Sequence, residues 1–208
     1  LDVHLMVEEP EKFAEAFAAA GATNITFHVE VHSGSAAVRL AEKIRSAGAL
    51  AGLAINPPTA VAPMLEIAGA FGHLDVRVNN PTVPAPRAVR EQTTDEVEHV
   101  LRVNLLSPVR LTLAVLPRML ERDAGSIVNV ASLGGRLGIV HEAAYCASKF
   151  GLCGWSESLA LDLWDTGVDV RLIIPGPVDT EIWDQPDNDP PLYHGDLESP
   201  ASVAEGIV

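Results

Sequence analysis

The sequence is poor in basic residues. Lysine and arginine together number 14, against 28 aspartate and glutamate residues, and the formal net charge at pH 7 is −14. This balance predicts that neither nucleic acid nor an anionic membrane surface is a main partner, because both attract clusters of positive charge. A nucleotide cofactor stays compatible with it, since backbone N–H groups at a helix N-terminus can bind phosphates.

Cysteine, long apolar runs and an initiating methionine are also scarce or missing. The two cysteines, Cys146 and Cys153, fall in one predicted helix, where their Cα atoms would lie about 10.5 Å apart, too far for a disulfide. We expect buried, reduced thiols and a cytoplasmic protein.

No apolar run reaches the roughly 20 residues of a transmembrane helix, so no membrane partner is predicted. Both ends interrupt a predicted element, and we expect a fragment of a longer chain or an engineered sequence.

Short apolar segments alternate with amphipathic segments along the whole chain. The pattern predicts strands at 1–7, 24–31, 50–59, 74–80, 126–132 and 168–176. It predicts helices at 10–21, 35–48, 61–72, 94–125 and about 141–165, the fourth being either continuous or broken near Pro108. The polar segment 179–197 is predicted to be a long loop or lid.

This alternation predicts an α/β fold with a mostly parallel sheet covered by helices. An open doubly wound sheet and a closed barrel both fit the pattern. A barrel needs eight strands in about 250 residues, whereas six strands are predicted, so the open sheet is favoured, with residues 1–208 as a single domain. A homo-oligomer is also expected, because an apolar face would be costly to expose. That face comprises Leu152, Trp155, Leu159 and Leu163.

The stretch "AAYCASK", residues 143–149, contains a tyrosine and a lysine four positions apart. Tyr145 and Lys149 therefore share one face of a helix. A free tyrosine has a pKa of about 10, which is poor for proton transfer at neutral pH. A nearby ammonium favours the phenolate, so we predict that Lys149 lowers the pKa of Tyr145. Ser132, at the end of the fifth predicted strand, could hydrogen-bond a substrate oxygen.

Residues from about 71 to 208 resemble the short-chain dehydrogenase/reductase family. The resemblance is carried by "LDVRVNN", "VNLLSP", "SIVNVAS", "YCASK" and "IIPGPVDT", in that order. It implies a Rossmann-like fold and an oxidoreductase that transfers a hydride between NAD or NADP and a carbonyl or alcohol substrate. It also implies a catalytic set with Tyr145 as the acid/base. The set comprises Asn104, Ser132, Tyr145 and Lys149.

The same resemblance implies contacts with the cofactor. They are expected at Asn79, Asn80, Tyr145, Lys149, Pro175, Gly176, Val178 and Thr180. Asn104 would hold a water molecule that links Lys149 to solvent. Pro81 and Thr82 replace the alanine and glycine that follow the Asn-Asn pair in the family, and Asn79 is expected to bridge neighbouring strands.

A glycine-rich turn for the cofactor pyrophosphate is missing from the N-terminal segment. The loops after the first three predicted strands read "VEEPEK", "EVHSGSAA" and "INPPTAVAP". The first is acidic, the second has a single glycine, and the third has none. The backbone could not approach a pyrophosphate closely there. We expect impaired cofactor binding, with a catalytically inactive scaffold as the alternative.

Residues 1 to about 68 resemble a different family, ribulose-phosphate 3-epimerase, a metal-dependent barrel enzyme. The resemblance is carried by "LDVHLMVEEPEKFAEAFAAAGATNITFHVE" and "AGLAINPPT". It implies a chimera in which a TIM-barrel-derived (βα)3 segment, residues 1–70, precedes a dehydrogenase-like segment, residues 71–208. His4 matches one metal ligand of the epimerases. The other ligands have no counterpart, so no metal site is predicted, and residual epimerase activity is not favoured.

Overall fold

The structure is a computed structural model that describes residues 1–56, 59, 67–70, 73–180 and 194–205. The chain divides into two compact units, Leu1–Leu74 (unit 1) and Asp75–Val208 (unit 2). Their boundary lies close to the predicted junction between residues 70 and 71. A single domain over residues 1–208 stays a prediction.

Unit 1 alternates strands with helices, as its sequence predicts. The strands are β1 (Asp2–Leu5), β2 (Asn24–His28) and β3 (Leu50–Ala54), which form a parallel sheet in the order β1-β2-β3. The helices are α1 (Ala14–Ala19), which follows a 3-10 turn at Pro10–Lys12, and α2 (Gly34–Ser46). Alternation along β2 buries Ile25 and Phe27 completely, so the sheet packs one face against the helices.

Unit 2 contains the other three predicted strands. They are β4 (Val76–Asn79), β5 (Gly125–Val130) and β6 (Val168–Ile173), which form a parallel sheet in the order β4-β5-β6. Its helices are α3 (Thr94–Leu101), α4 (Ser107–Arg122), α5 (Ala143–Asp162) and α6 (Pro200–Glu205). The described strands thus form two three-stranded sheets instead of the single open sheet predicted. Each sheet has the strand order of one half of a doubly wound fold.

The segment predicted as a helix over 94–125 is continuous. A π-helical turn, Arg102–Leu106, joins α3 to α4, and the N–H of Ser107 donates to the carbonyl of Arg102. Pro108 has no N–H to donate to the carbonyl of Asn104. The wider π turn accommodates this missing donor without breaking the helix.

The combined helix Thr94–Arg122 is long and apolar enough, by length and composition alone, to cross a membrane. The expectation that no segment reaches this length is therefore wrong. Its most apolar window is 39% buried inside the structure, with Leu111, Val115 and Met119 among the buried side chains. Because α4 packs on β5 and α3 on α5, part of this helix is covered within unit 2.

The apolar set behind the predicted oligomer is also packed within unit 2. Leu152, Leu159 and Leu163 are buried, and Trp155 packs against a core cluster around Leu152. These side chains therefore give no reason for an oligomer, because they expose little apolar surface.

Two predicted segments lie largely outside the described residues. Of the helix predicted at 61–72, residues 67–70 are described and helical. Of the predicted lid at 179–197, residues 181–193 are not described. At the base of this segment Val178 forms a β-bridge with Glu198, and Glu198 exchanges backbone hydrogen bonds of 2.8 and 2.9 Å with Pro177 and Asp179.

Candidate functional site

Ser132, Tyr145 and Lys149 come together in unit 2, at the carboxyl edge of its sheet. Ser132 follows β5, and its Oγ accepts a hydrogen bond of 3.1 Å from the N–H of Gly134. The Ser132 side chain is also hydrogen-bonded to that of Tyr145. A Cβ on Gly134 would lie 3.1 Å from Cε1 of Tyr145, so the glycine lets the turn after β5 pack closely against the tyrosine ring.

Lys149 carries a fully buried ammonium group. Its Nζ donates to Oγ1 of Thr82 at 3.1 Å and to the carbonyl of Val130 at 3.3 Å. It lies 5.7 Å from the centroid of the Tyr145 ring. Burial lowers the pKa of Lys149 to about 8, because both of these acceptors are neutral and do not compensate for lost hydration. These two hydrogen bonds use two of the three N–H groups of the ammonium, and the third can donate to a further acceptor.

The phenol of Tyr145 is a weaker acid than the sequence predicts. Burial raises the pKa of Tyr145, the hydrogen bond from Ser132 lowers it, and the charge of Glu142 raises it. The net shift is therefore opposite to the lowering predicted from Lys149, because burial is its largest cause. The ammonium lies 5.7 Å from the ring centroid and donates to two other acceptors. At neutral pH Tyr145 is a neutral phenol with a proton to donate.

Asn104 lies fully buried in the π turn between α3 and α4. Its Oδ1 accepts from the N–H of Val83 at 2.8 Å, and its Nδ2 donates to the carbonyl of Val83 at 3.0 Å. Nδ2 also donates to Oγ of Ser148 at 3.2 Å. The carboxamide thereby fixes the loop that contains Thr82 against helix α5, so that Thr82 can reach Lys149. A water-holding role for Asn104 stays a prediction.

Asn79 belongs to a buried polar chain within unit 2. Its Nδ2 donates to Oδ1 of Asn129 at 2.8 Å and to Oγ1 of Thr112 at 3.1 Å. Asn129 in turn donates to Oγ of Ser156 at 2.9 Å. The chain links β4 to β5, α4 and α5, which agrees with the predicted bridging of strands. Asn80, the next residue, is exposed.

The segment after β6 lies next to the turn after β5. The N–H of Leu133 donates to the carbonyl of Pro175 at 2.8 Å, which ties the two strand ends together. Gly176 and Val178 are half-buried, and Thr180 is exposed. A Cβ on Gly176 would lie 3.3 Å from Oε1 of Glu198. Contacts of this segment with a cofactor stay predictions.

Two residues of this site were missed by sequence reasoning. In the sequence Thr82 is only a departure from the family pattern, whereas in the structure it accepts a hydrogen bond from Lys149. Glu142 has a buried Oε2 with no hydrogen-bond partner, and burial raises the pKa of Glu142 to about 7. Its position three residues before Tyr145 was the available signal, because i and i+3 side chains are neighbours on a helix.

His4 lies apart from this set, in unit 1. Its ring stacks on that of His28, with centroids 4.9 Å apart and planes 7° from parallel. His28 Nδ1 lies 3.1 Å from Oε2 of Glu30. Burial and the neighbouring His28 lower the pKa of His4. Within the described ranges, no group of three or more His, Cys, Asp or Glu side chains could hold a metal ion.

Comparisons with known proteins agree with this geometry. The model of the family described as short chain dehydrogenase matches residues 10–190. The chain is 33% identical over 144 residues to ketoacyl reductase HetN of a Nostoc species, covering 66% of this chain and 48% of that protein. It is 31% identical over 131 residues to the 3-oxoacyl-[acyl-carrier-protein] reductase FabG of Escherichia coli, covering 62% and 54%. The chain spans about half the length of these curated relatives.

A solved structure supports the fold as well. A variant of actinorhodin polyketide ketoreductase, crystallised with NADPH, aligns with a TM-score of 0.61 at 31% identity, covering 86% of this chain and 71% of that one. The predicted Rossmann-like α/β fold with parallel strands is thus confirmed. The family model also matches residues 10–70, and none of these relatives is an epimerase. The resemblance of residues 1–68 to the epimerases and a barrel origin of residues 1–70 stay predictions. Because this family model matches most of the length of the chain, the chain belongs to the short-chain dehydrogenase family.

Proposed function

We propose that the chain is an oxidoreductase that uses NAD or NADP to interconvert a carbonyl compound and an alcohol. The observation that carries this proposal is the grouping of Ser132, Tyr145 and the buried Lys149 at one edge of the sheet. Ligands of open α/β sheets bind outside the carboxyl ends of the strands. The ketoacyl reductases among the relatives support a ketone as substrate, and the NADPH-bound neighbour supports the cofactor.

The residues at this edge fit the nicotinamide end of such a cofactor. Lys149 gives two N–H groups to Thr82 and Val130, and its third can donate to a ribose hydroxyl. A third hydrogen-bond acceptor would stabilise the buried ammonium, because the ammonium has lost its water on burial and has only two neutral oxygens as acceptors. The half-buried strand end at Pro175 and Gly176 offers backbone for the carboxamide. Val178 and Thr180 follow on the same segment. At the end of strand β4, Asn79 is the last residue and Asn80 follows it.

The side chains of this site would manage the proton of the substrate oxygen. When bound, the nicotinamide would supply or accept the hydride. Ser132 would hold the substrate oxygen through its hydroxyl, next to the phenol to which it is bonded. Tyr145, protonated at neutral pH, would donate its proton to that oxygen in reduction and take it back in oxidation. Lys149, with Nζ 5.7 Å from the ring centroid, would stabilise the phenolate that remains.

A catalytically inactive scaffold is the second candidate, and one observation favours it. The connection from β1 to α1 carries exposed Glu8 and Glu9 and then a 3-10 turn that begins with Pro10. The carboxylate of Glu8 would repel a pyrophosphate at this connection, whereas that of Glu9 is paired with Lys12. A chimeric origin, with residues 1–70 derived from a barrel, would explain this loop, and the unit boundary after Leu74 supports it. The family match from residue 10 onward counts against it. Residual epimerase activity has only His4 in its support.

Cofactor binding separates the two candidates. We expect titration with NADPH or NADH to change the fluorescence of the three tryptophans in a saturable way. Lys149→Met serves as the matched variant, because it removes the ammonium from the proposed ribose contact while keeping an apolar stem, and should weaken binding at least tenfold. If neither cofactor binds up to millimolar concentration, the oxidoreductase proposal is wrong and the scaffold is favoured.

A further inference from the structure

The buried ammonium of Lys149 is held by two acceptors that carry no charge. Its Nζ donates to Oγ1 of Thr82 at 3.1 Å and to the carbonyl of Val130 at 3.3 Å. Because the side chain is fully buried, these hydrogen bonds replace the water that would otherwise stabilise the charge. The proton on Lys149 therefore depends on a small number of contacts.

The ionisable groups around this ammonium add little negative charge at neutral pH. On helix α5, Tyr145 lies with its ring centroid 5.7 Å from Nζ, and burial raises the pKa of its phenol. Cys153 on the same helix favours the ammonium as a thiolate, but burial raises the pKa of this thiol as well. From the turn after β5, Arg136 is paired with Glu157. The two neutral acceptors thus provide most of the compensation.

The two acceptors differ in origin. The carbonyl of Val130 is backbone at the end of β5 and is present with any side chain at that position. The hydroxyl of Thr82 exists because a threonine stands where the family pattern has a glycine. Asn104 holds the loop through two hydrogen bonds to the backbone of Val83, the next residue, so the hydroxyl is presented to Lys149 from a fixed segment.

We propose that Thr82 is a positioning residue whose hydroxyl keeps the ammonium of Lys149 charged and in place at neutral pH. A hydrogen bond to the charged form of a group favours that form. Burial lowers the pKa of Lys149 to about 8, so the loss of one of two acceptors would bring its titration close to neutral pH. The functional consequence rests on the proposed function, in which the ammonium contacts the ribose and stabilises the phenolate of Tyr145.

Lys149 can be titrated directly, without cofactor or turnover. The chain has three lysines, Lys12, Lys43 and Lys149. With Lys12→Arg and Lys43→Arg as the background, NMR of protein labelled at the lysine Cε gives one signal, whose shift follows the charge of Lys149. Thr82→Val removes the hydroxyl at almost constant volume. We expect it to lower the pKa of Lys149 by about one unit, a tenfold change in proton affinity.

Three further variants separate the hydroxyl from packing. Thr82→Ser keeps the hydroxyl and should preserve the pKa of Lys149, and Thr82→Ala removes it by a second route if the valine variant does not fold. Thr112→Val is the matched control. It removes a hydroxyl of unit 2 that also accepts a hydrogen bond of 3.1 Å, but from the neutral carboxamide of Asn79. It should leave the titration of Lys149 unchanged.

Cofactor affinity gives a second readout. If Lys149 must be protonated to bind, Thr82→Val should weaken NADPH binding roughly fivefold at pH 8 and hardly at all at pH 6, where the lysine is protonated in both proteins. A loss of the same size at both pH values would indicate a structural role and overturn the proposal.

The lysine titration decides the proposal by itself. Superimposable titrations of the parent and the variants that lack the hydroxyl would overturn it, and so would an equal fall in Thr82→Val and Thr82→Ser. Absence of cofactor binding by every protein would refute the proposed function but leave the titration result standing, so the two failures can be told apart.

Discussion

The ammonium group of Lys149 is buried, and this burial lowers its pKa. Its ammonium is fully buried between the hydroxyl of Thr82 and the carbonyl of Val130, and its pKa falls from 10.5 to about 8. Between these two values the unfolded chain holds a proton that the folded chain has released. The free energy of unfolding therefore rises with pH through this window, and below pH 8 the folded state bears the full cost of the buried charge.

This cost predicts a pH-dependent stability difference for Lys149→Met. The variant has no ammonium to bury, so its stability should not gain from this source as the pH rises. Between pH 7 and 10 the wild type should gain on the order of 2–3 kcal/mol relative to the variant, at 1.36 kcal/mol per pKa unit. Urea unfolding at both pH values measures this. A difference that is the same at pH 7 and pH 10 would show that Lys149 titrates normally.

The members of the candidate site were predictable from the sequence where their relation is local. Tyr145 and Lys149 are one helical turn apart, and Ser132 ends an apolar strand, so their meeting at a strand end follows from the pattern. The acceptor role of Thr82 was not predictable, because it depends on how a distant loop packs. The direction of the Tyr145 pKa shift also depends on tertiary burial, which an i, i+4 spacing does not report.

Among the elements, the π turn Arg102–Leu106 connects helix geometry to the site. It presents Asn104 to the loop before α3, where the carboxamide bonds both the N–H and the carbonyl of Val83. That loop carries Thr82, the partner of Lys149. The π turn therefore influences the position of the Lys149 ammonium through the loop that contains Thr82 and Val83. A substitution of Asn104 should change the hydrogen bonding of the backbone in that loop.

Amide hydrogen exchange tests this connection. Asn104→Ala removes the acceptor of the Val83 N–H, so the protection of that amide should fall by at least about tenfold. Asn104→Asp keeps an Oδ acceptor and should preserve most of this protection. Equal protection of Val83 in the wild type and Asn104→Ala would mean that the loop is held by other contacts.

The sequence left the form of the long helix open for a physical reason. Pro108 removes one hydrogen-bond donor, and a helix can respond by breaking or by widening one turn. Apolar spacing is the same in both cases, so the choice depends on packing. In the structure α3 packs on α5 and α4 on β5, and the chain stays helical from Thr94 to Arg122.

On the scale of the whole molecule, the sequence predicted the six strands and their parallel arrangement. The change of resemblance between residues 70 and 71 lies close to the boundary of the two units, although the periodicity alone did not indicate it. Strand and helix periods identify each βα segment, and the strand order within each sheet follows from right-handed crossovers between neighbours. The boundary after Leu74 depends on how many contacts cross it, which no local period encodes. The side chains that suggested a homo-oligomer are packed within unit 2 and no longer support it. The homo-oligomer therefore stays an untested prediction.

The central claim is that Tyr145 is the acid of a cofactor-dependent reductase, and Tyr145→Phe tests it most directly. The measurement is the rate of NADPH or NADH oxidation with a panel of ketones and β-ketoacyl thioesters, beside a cofactor titration of both proteins. We predict that the wild type reduces at least one ketone and that the variant still binds cofactor while its rate falls about 10²- to 10⁴-fold. Equal rates in the two proteins, or no reduction by a cofactor-bound wild type, would contradict the account.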